Sequence, residues 1–587
     1  MGNSLTEVFS EVMGKAFEAA GYDAGLGVVR VSDRPDLCEF QCNGAMAGAK
    51  KYHKAPFMIA DEVTKKLPEV GADRYFTAEM VRPGFINMNA SPAYIAEMLK
   101  EIAEDPYLSI PQEESPEEIV IDYGGPNVAK PLHVGHLRSA VIGESIKRLC
   151  RAVGNHVRGD VHLGDWGLQM GLIITELKHT QPDLPYFDDC ATEFPEEPPF
   201  TIGELEKIYP TASAKSKEDP DYYAEALEAT HLLQEGKPGY HALWEQILKV
   251  SVADLKKNYA RLNVNFDLWK AESDVQPYIP DMIEKMKADG VAHIDDGALV
   301  IDVDEPTDKK MIPPCIILKS DGSSLYATTD IATILEREKL FHPDRIIYVV
   351  DKRQSMHFVQ VFRAVKKAGI GDNKTDLVHV GFGTMNGKDG KPFKTREGGV
   401  MRLQVLLDDI EAEMEKKISE NRNVRTEDAE KTAKQVALSA VKYGDLSNQA
   451  SKDYIFDIDK FTSFEGNTGP YILYTIVRIK SILEKADISV TDRDLLPAAG
   501  EEEKALMLDL TEFGSTIFDA YEDLAPHRIC AYIYRTCNDF NRFYHETRIL
   551  AEEKEAKKKS YLALLQLTDR ILEKSIDILG FSAPDHM

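Results

Sequence analysis

The chain has 587 residues, of which 43% are hydrophobic and 29% are charged, and its formal net charge is −28. At about 150 residues per domain, this length predicts roughly four globular domains. The composition excludes a disordered chain, a fibrous protein and a small disulfide-stapled domain. No run approaches the roughly 18 apolar residues of a membrane span. The acidic balance argues against a protein that coats nucleic acid, although a local basic groove remains compatible with it.

The N-terminus and the cysteines both indicate a cytoplasmic protein. MGNSLTEVFSEVMGKAFEAAG has the pattern of an amphipathic helix that contains acidic residues, which is unlike a signal or transit peptide. MGNSLT fits the N-myristoylation pattern, but no basic cluster follows as a second anchor. Among the seven cysteines only Cys38 and Cys42 lie close in sequence, so we expect free thiols in a reducing cytosol and no zinc site.

The first 110 residues are predicted to form a small α+β domain. In chain order, the hydrophobic pattern indicates a helix over 4–20, strands at 27–31 and near Phe40, a longer helix over 43–66, strands over 75–81 and 85–89, and a helix over 92–104. The stretch DPYLSIPQEESPEE, residues 105–118, is rich in Pro, Ser and acid and predicts a linker.

Residues 111–400 are predicted to form a Rossmann-like domain with a parallel sheet. EEIVIDYGG is a short apolar strand ended by glycines, and a helix over 135–153 and a strand over 156–161 follow it. An insertion at about 185–300 interrupts this pattern before strands and helices alternate again. Residues 401–455 are predicted to be a helical connection and 456–587 an all-α domain, which makes the fold class multidomain α/β.

The segment NVAKPLHVGH, residues 127–136, places two imidazoles three residues apart where a helix begins after a buried strand. A helix N-terminus offers unpaired N–H groups and the positive end of its dipole to an anion. His133 and His136 are therefore candidates for contacting phosphate, with Gly135 admitting a ligand close to the backbone and Lys130 adding charge. The alternative is a pair of surface histidines that only cap a helix.

In its longer form, GGPNVAKPLHVGHLRSAVIGE, this segment resembles the His-x-Gly-His segment of class I aminoacyl-tRNA synthetases, as found in arginyl-tRNA synthetases. Other segments resemble that family in the same order: HLGDWGLQMG, LNVNFDLWKAES, SLYATTDIATILER, DKRQSMHF, GFGTMNGKDGKPFKTREGG, FEGNTGPYILYTIVRI, LAPHRICAYIY and SAPDHM. The resemblance spans nearly the whole chain. It implies a monomer that uses L-arginine, ATP with Mg²⁺, and tRNA(Arg), and that commonly needs bound tRNA for activation.

A site for arginine needs carboxylates aimed at a planar guanidinium. Asp330 lies four residues after Tyr326, so a helix would point both side chains to one cleft. The resemblance assigns these two residues to the guanidinium and Asn127 and Gln354 to the amino and carboxylate end of the amino acid. It adds two further carboxylates near the substrate, Asp122 and Glu272; the alternative for Asp330 is a helix cap.

His357, Gly381 and Gly383 match family positions near ATP, although glycines at a strand end are the alternative. The segment GKPFKTREGG stands where class I synthetases carry a Lys-Met-Ser-Lys-Ser loop, which is absent here as written. Positive side chains in this segment and before the His motif are candidates for neutralising pyrophosphate, unless the segment is only a charged turn: Lys391, Lys394, Arg396 and Lys130.

Three arginines spaced by seven residues, Arg528, Arg535 and Arg542, are predicted to lie along one helix face. Such a stripe suits a phosphate backbone, and surface salt bridges are the alternative. The resemblance implies that residues 456–587 bind the anticodon side of tRNA, with Met587 nearby. It also implies that residues 1–110 meet the tRNA elbow at the D-loop, with Phe85 and Asn87 at base-contacting positions.

Two other functions compete with this interpretation. Another class I synthetase, such as the cysteine enzyme, would need a cysteine cluster for catalytic zinc, but Cys150, Cys190 and Cys315 are scattered. A non-catalytic tRNA-binding homologue would have no need of the catalytic set, which is intact here: His133, His136, Asp330 and Gln354.

Overall fold

The computed structural model describes residues 4–391, 401–419, 426–486 and 488–587, so Lys394 and Arg396 lie outside the described residues. The chain divides into two compact units. Unit 1 consists of residues 1–113, 464–577 and 582–587, and unit 2 of residues 114–463 and 578–581.

The N-terminal part of unit 1 is a four-stranded antiparallel sheet with helices, in the strand order β1-β2-β4-β3. Its elements are α1 (Leu5–Ala19), β1 (Val29–Val31), β2 (Phe40–Cys42), α2 (Gly44–Tyr52), α3 (Pro56–Thr64), β3 (Phe76–Val81), β4 (Phe85–Ala90) and α4 (Pro92–Glu104). Phe9 of α1 packs on Phe40 and Phe76 of the sheet, with ring centroids 5.1 and 4.9 Å apart.

The predicted single helix over 43–66 is wrong, because the structure has two helices there. His53 ends α2 in the left-handed conformation, and Pro56 stands at the start of α3. Proline lacks a backbone N–H and cannot continue a helix from the preceding turn, whereas it fits the first turn of a new one.

Unit 2 holds most of the remaining elements. In chain order they are β5 (Glu118–Tyr123), α5 (Val134–Ala152), β6 (His156–Asp160), α6 (Leu168–Thr180), α7 (Ile202–Glu218), α8 (Pro220–Gln234), α9 (Pro238–Arg261), α10 (Ile279–Ala288), β7 (His293–Asp295), β8 (Ala298–Ile301), β9 (Cys315–Leu318), α11 (Tyr326–Phe341), β10 (Arg345–Asp351), α12 (Ser355–Lys367), β11 (Asp376–Phe382), β12 (Met385–Asn386), α13 (Leu403–Ser419), α14 (Thr426–Leu446), β13 (Tyr454–Ile455) and α15 (Ile458–Phe461).

The central sheet of unit 2 is parallel, with the strand order β11-β10-β5-β6. All but the first residue of β5 are buried, which explains its continuous apolar run. The chain order reverses between β5 and β10, so ligands are expected at the carboxyl ends of these strands. Between α6 and β10 lie helices α7–α11 and a separate antiparallel sheet, β7-β8-β9.

Among the described residues, five helices complete unit 1: α16 (Gly469–Ala486), α17 (Glu501–Thr511), α18 (Phe513–Glu522), α19 (Pro526–Glu546) and α20 (Glu555–Leu579), whose last two residues belong to unit 2. They pack against the N-terminal segment. Lys504 pairs with Glu39 at 2.5 Å, and a Cβ on Gly514 would lie 2.0 Å from the carbonyl oxygen of Ser109.

The first part of the predicted linker is therefore packed structure, since Leu108 and Ile110 within it are buried. Both are apolar side chains that lower the free energy of the folded state when they leave water. The fold class itself is confirmed: an N-terminal α+β part, a parallel-sheet domain and C-terminal helices. None of the described helices is long and apolar enough to cross a bilayer.

Candidate active site

The His motif forms the N-terminus of α5 at the carboxyl end of β5. His133 is the N-cap residue, and its Nδ1 accepts a hydrogen bond of 3.0 Å from the amide of Gly135. The Nδ1 of His136 accepts one of 3.1 Å from the amide of His133, and the two ring centroids lie 3.9 Å apart. Because Nδ1 accepts in both rings, the neutral imidazoles carry their proton on Nε2.

Both imidazoles are held neutral near pH 7. Burial lowers the pKa of His136 to about 3, and the neighbouring imidazole of His133 is a second cause. Burial and then the charge of Lys130 also lower the pKa of His133. Two neutral Nε2–H donors at a helix N-terminus can stabilise negative charge that develops on a phosphate oxygen without first losing a proton.

The segment after the predicted lysine loop lies directly against the His motif. The amide of Val134 donates to the carbonyl of Met401 at 3.0 Å, and the amide of Leu403 donates to the carbonyl of Leu132 at 2.8 Å. His133 and Arg402 thus form an antiparallel bridge. Within the described part of that loop, the backbone amide of Lys391 donates to Asp389 Oδ1 at 3.1 Å.

A cavity of about 670 Å³ brings together four of the predicted residues, Asn127, Lys130, Glu272 and Tyr326. Tyr326, at the start of α11, is 74% exposed. The cavity is also lined by residues to which the sequence assigned no role, among them Trp166, Gln169, Tyr209, Gln234 and Lys319. Trp166 and Gln169 lie in the family-like segment HLGDWGLQMG, which could have indicated them; Tyr209 lies in the insertion, which gave no such signal.

Glu272 is the acidic residue in this lining. Burial raises the pKa of its carboxyl group to about 7; the neighbouring His162 opposes this rise, and the carboxyl groups of Asp165 and Asp330 add to it. The carboxyl group is therefore about half protonated at pH 7 when no cation is bound. A cationic ligand in the cavity would favour the ionised form.

Asp122 is not a free acceptor. Its Oδ2 accepts a hydrogen bond of 2.6 Å from Arg337 Nη2, which also donates to Asp160 Oδ2 at 2.7 Å, while Arg337 Nη1 donates to Tyr348 at 3.1 Å. Contact between Asp122 and a substrate therefore stays a prediction, while the structure shows this carboxylate in an ion pair inside the protein. The physical reason is burial: a carboxylate removed from water needs a partner, and Arg337 supplies it.

Among the described residues, one group of three His, Cys, Asp or Glu side chains is close enough to share a metal ion: Asp122, Asp160 and His162, with ligand atoms within 4.8 Å of one another. The guanidinium of Arg337 already donates to both carboxylates. The charge that a divalent cation would need is thus neutralised from within, and this group does not fit a metal.

Asp330 and His357 lie together, although the sequence assigned them to different substrates. Asp330 Oδ2 lies 2.5 Å from His357 Nε2, and both side chains are about one quarter exposed. Asp330 belongs to α11 and His357 to α12. Gln354, at the end of a 3₁₀ turn before α12, is exposed. Asp330 and Gln354 lie outside the lining of the cavity.

Gly381 and Gly383 face the protein's own backbone. A Cβ on Gly381 would lie 3.1 Å from Lys352 Cα, and one on Gly383 would lie 2.5 Å from the carbonyl carbon of Lys452. Internal packing therefore suffices to explain why these positions are glycine. Their predicted approach to ATP stays a prediction.

Four of the residues predicted to contact tRNA, namely Asn87 and the three arginines of α19, already have partners within unit 1. Asn87 is buried and accepts a 2.9 Å hydrogen bond from Gln41, and Phe85 is half-buried. The arginines of α19 all pair with acids, namely Arg528 with Asp523, Arg535 with Asp509 and Glu512, and Arg542 with Asp539. In the protein without tRNA the three arginines therefore form salt bridges, which was the alternative interpretation. Their side chains nevertheless remain 47–65% exposed. Met587 is half-buried.

Three family models match the chain. One described as tRNA synthetases class I (R), catalytic domain, matches residues 100–458. The DALR anticodon binding domain matches residues 472–587, and the arginyl tRNA synthetase N terminal domain matches residues 3–90.

Full-length relatives agree with these matches. An arginine–tRNA ligase of Agathobacter rectalis is 61% identical over 99% of this chain and 100% of that protein, and one of Alkaliphilus oremlandii is 52% identical over the same shares. In fold, the chain matches the arginyl-tRNA synthetase of Plasmodium falciparum with a TM-score of 0.81 at 23% identity, covering 100% of this chain and 99% of that one. The Thermus thermophilus arginyl-tRNA synthetase matches with a TM-score of 0.76 at 23% identity, covering 99% of this chain and 100% of that one. The chain belongs to the arginyl-tRNA synthetase family.

Proposed function

We propose that the chain is an arginine–tRNA ligase that works in two steps. In the first, a carboxylate oxygen of L-arginine attacks the α-phosphorus of ATP, the bond from that phosphorus to the bridging oxygen breaks, and pyrophosphate leaves. In the second, a hydroxyl of the 3′-terminal ribose of tRNA(Arg) attacks the carbonyl carbon of arginyl-adenylate and AMP leaves. The pair of neutral imidazoles at the start of α5, three residues after Lys130 of a cavity that also contains the carboxyl group of Glu272, is the observation that carries this proposal.

In this proposal the His motif acts on the phosphates. His133 and His136 present Nε2–H donors, and Gly135 leaves the helix N-terminus open to them. Pyrophosphate is neutralised by Lys130 and by the loop cations Lys391, Lys394 and Arg396, while His357, Gly381 and Gly383 lie on the nucleoside side. Mg²⁺ enters as part of the ATP substrate, and no zinc is required. Catalysis then consists of positioning and charge stabilisation, with no protein nucleophile.

Arginine occupies the cavity with its guanidinium towards Glu272, and Tyr326 and Asp330 bind the same group. Asn127 and Gln354 hold the amino and carboxylate end. Asp122 contributes indirectly, because its ion pair with Arg337 joins β5 to α11, the helix that carries Asp330.

The tRNA is bound by the outer domains in this proposal. Residues 1–110 meet its elbow through Phe85 and Asn87, and residues 111–400, with the insertion at about 185–300, hold the acceptor end. Residues 401–455 connect this domain to residues 456–587. The latter bind the anticodon side through Arg528, Arg535, Arg542 and Met587. Binding there requires the arginines to exchange acidic partners for phosphates. The enzyme is a cytoplasmic monomer.

An amino-acid-dependent ATP–pyrophosphate exchange assay tests the proposal, run on the full chain with each of the standard amino acids, with and without tRNA(Arg). Exchange that depends on arginine alone, together with transfer of arginine to tRNA(Arg), is the expected result. Exchange with cysteine would indicate another class I synthetase. Binding of tRNA without exchange under either condition would indicate a non-catalytic homologue.

A further inference from the structure

Two side chains of α7, in the insertion, lie against the flanks of the His motif. Glu206 and Tyr209 are three residues apart and so share one face of the helix. Glu206 Oε2 lies 2.7 Å from Arg402 Nη1, and Lys130 Nζ lies 4.5 Å from the centroid of the Tyr209 ring. The Glu206 side chain is only 11% exposed.

Arg402 and Lys130, which Glu206 and Tyr209 contact, are both connected to His133 through the backbone. Arg402 forms the backbone bridge with His133, between the hydrogen bonds that Val134 and Leu403 donate. Lys130 precedes His133 by three residues and lines the cavity with Tyr209. One face of α7 therefore contacts Lys130, which precedes His133, and Arg402, which lies in the segment paired to His133.

Helix α7 is itself firmly attached to the parallel-sheet domain. Lys215 near its end pairs with the buried Glu176 of α6 at 2.8 Å, and Tyr222 of α8 donates to the same carboxylate at 2.6 Å. Tyr209 packs on a cluster formed by Leu172, Ala212, Tyr222 and Ala226. A displacement of α7 would therefore require this packing to change.

We infer that Glu206 and Tyr209 are positioning residues for adenylate formation: Glu206 fixes Arg402 and the bridge to His133, and Tyr209 holds the ammonium of Lys130 at the cavity. The inference rests on the proposed function for its kinetic part. A shift of about 1 Å in a catalytic group can cost on the order of a hundredfold in rate. Arg402 is 54% exposed, and ion pairs of that kind contribute little to stability, so the effect is expected on rate more than on folding.

The first test is a double-mutant cycle in full-length protein with Glu206→Gln, Arg402→Gln and both together. We expect each single variant to lower kcat of arginine-dependent exchange about tenfold, with the Michaelis constant for arginine within twofold and an unchanged Tm, and the double variant to be no slower than either single one. Glu284→Gln is the control for removing the charge of an ion-paired glutamate elsewhere in the same unit, because Glu284 pairs with Lys287 on α10. Multiplying losses, or a loss that follows Tm, would overturn the inference.

Hydrogen exchange separates this inference from the proposed function. In Glu206→Gln the amides of Val134 and Leu403 should exchange faster than in wild type, whatever reaction the protein performs, and they should be unchanged in Glu284→Gln. Unchanged exchange in Glu206→Gln would refute the positioning role. Absence of arginine-dependent activity in the wild type would instead refute the proposed function.

The Tyr209 part has its own test. Tyr209→Leu removes the ring face from Lys130 and should raise the Michaelis constant for ATP severalfold, with arginine's little changed. Tyr209→Phe keeps a ring over the ammonium and should lose less than Tyr209→Leu. Equal losses in the two variants would show that the ring does not act through Lys130.

Discussion

Glu272 provides a test of whether the cavity binds a guanidinium, as proposed above. Its carboxyl group has a pKa of about 7 because it is buried, against an ordinary value of 4.5. A guanidinium stays protonated throughout this pH range, so binding requires the carboxyl group to lose its proton. Since the pKa is raised, the ionised form predominates above pH 7 and is lost as the pH falls below it. Arginine should therefore bind more weakly under acid conditions.

The size of this effect follows from the pKa. A group of pKa about 7 is about 90% ionised at pH 8 and about 10% ionised at pH 6, so the Michaelis constant for arginine should rise about tenfold between these values. Binding at pH 7 should release about half a proton. In Glu272→Gln the constant should be higher at pH 8 and should lose its dependence on pH.

The assay is arginine-dependent exchange at fixed saturating ATP from pH 6 to pH 8, with the Michaelis constant for ATP measured at the same pH values as an internal control. Calorimetry of arginine binding in buffers of different ionisation enthalpy measures the released proton directly. A Michaelis constant that does not change with pH in the wild type would refute the reasoning, and so would a full pH dependence that persists in Glu272→Gln.

Four further substitutions test other proposed roles. His136→Ala should slow exchange by about 3 kcal/mol in activation free energy with arginine's Michaelis constant little changed, and near-normal exchange would contradict this. Asp330→Asn should raise that constant at least about tenfold and weaken the preference for arginine over citrulline; a retained preference would leave Asp330 as a partner of His357 only. Asp122→Asn should lower Tm and leave the Michaelis constant for arginine little changed, because it leaves Arg337 short of a buried partner. An unchanged Tm together with a raised Michaelis constant would make Asp122 a substrate ligand. Arg542→Gln should reduce the salt slope of tRNA binding by about one unit, and an unaltered slope would assign Arg542 to its pair with Asp539.

The sequence predicted local features well. The β5–loop–α5 unit follows from an apolar run, paired glycines and the histidines at a helix start, all within about 35 residues, and the family resemblance supplied the rest of the fold class. The split of the 43–66 helix was also within reach, because Pro56 is a local signal of a helix start.

Partners that are distant along the chain could not be predicted. Asp122 meets Arg337 from 215 residues away, and Gly383 owes its lack of a side chain to the backbone near Lys452. Neither contact leaves a local pattern, since one Asp and one Gly are compatible with many environments. The same holds for unit 1, in which Glu39 meets Lys504.

The acidic residues predicted to bind arginine differ in the group that balances their charge. Asp122 is neutralised by Arg337, and Asp330 shares a short hydrogen bond with His357. Glu272 lines the cavity with a carboxyl group that is partly protonated near pH 7. A buried carboxyl group with a raised pKa is only partly ionised near pH 7, and a cationic ligand stabilises its ionised form. In the proposed arrangement that ligand is arginine, whose guanidinium would balance the charge of the Glu272 carboxylate.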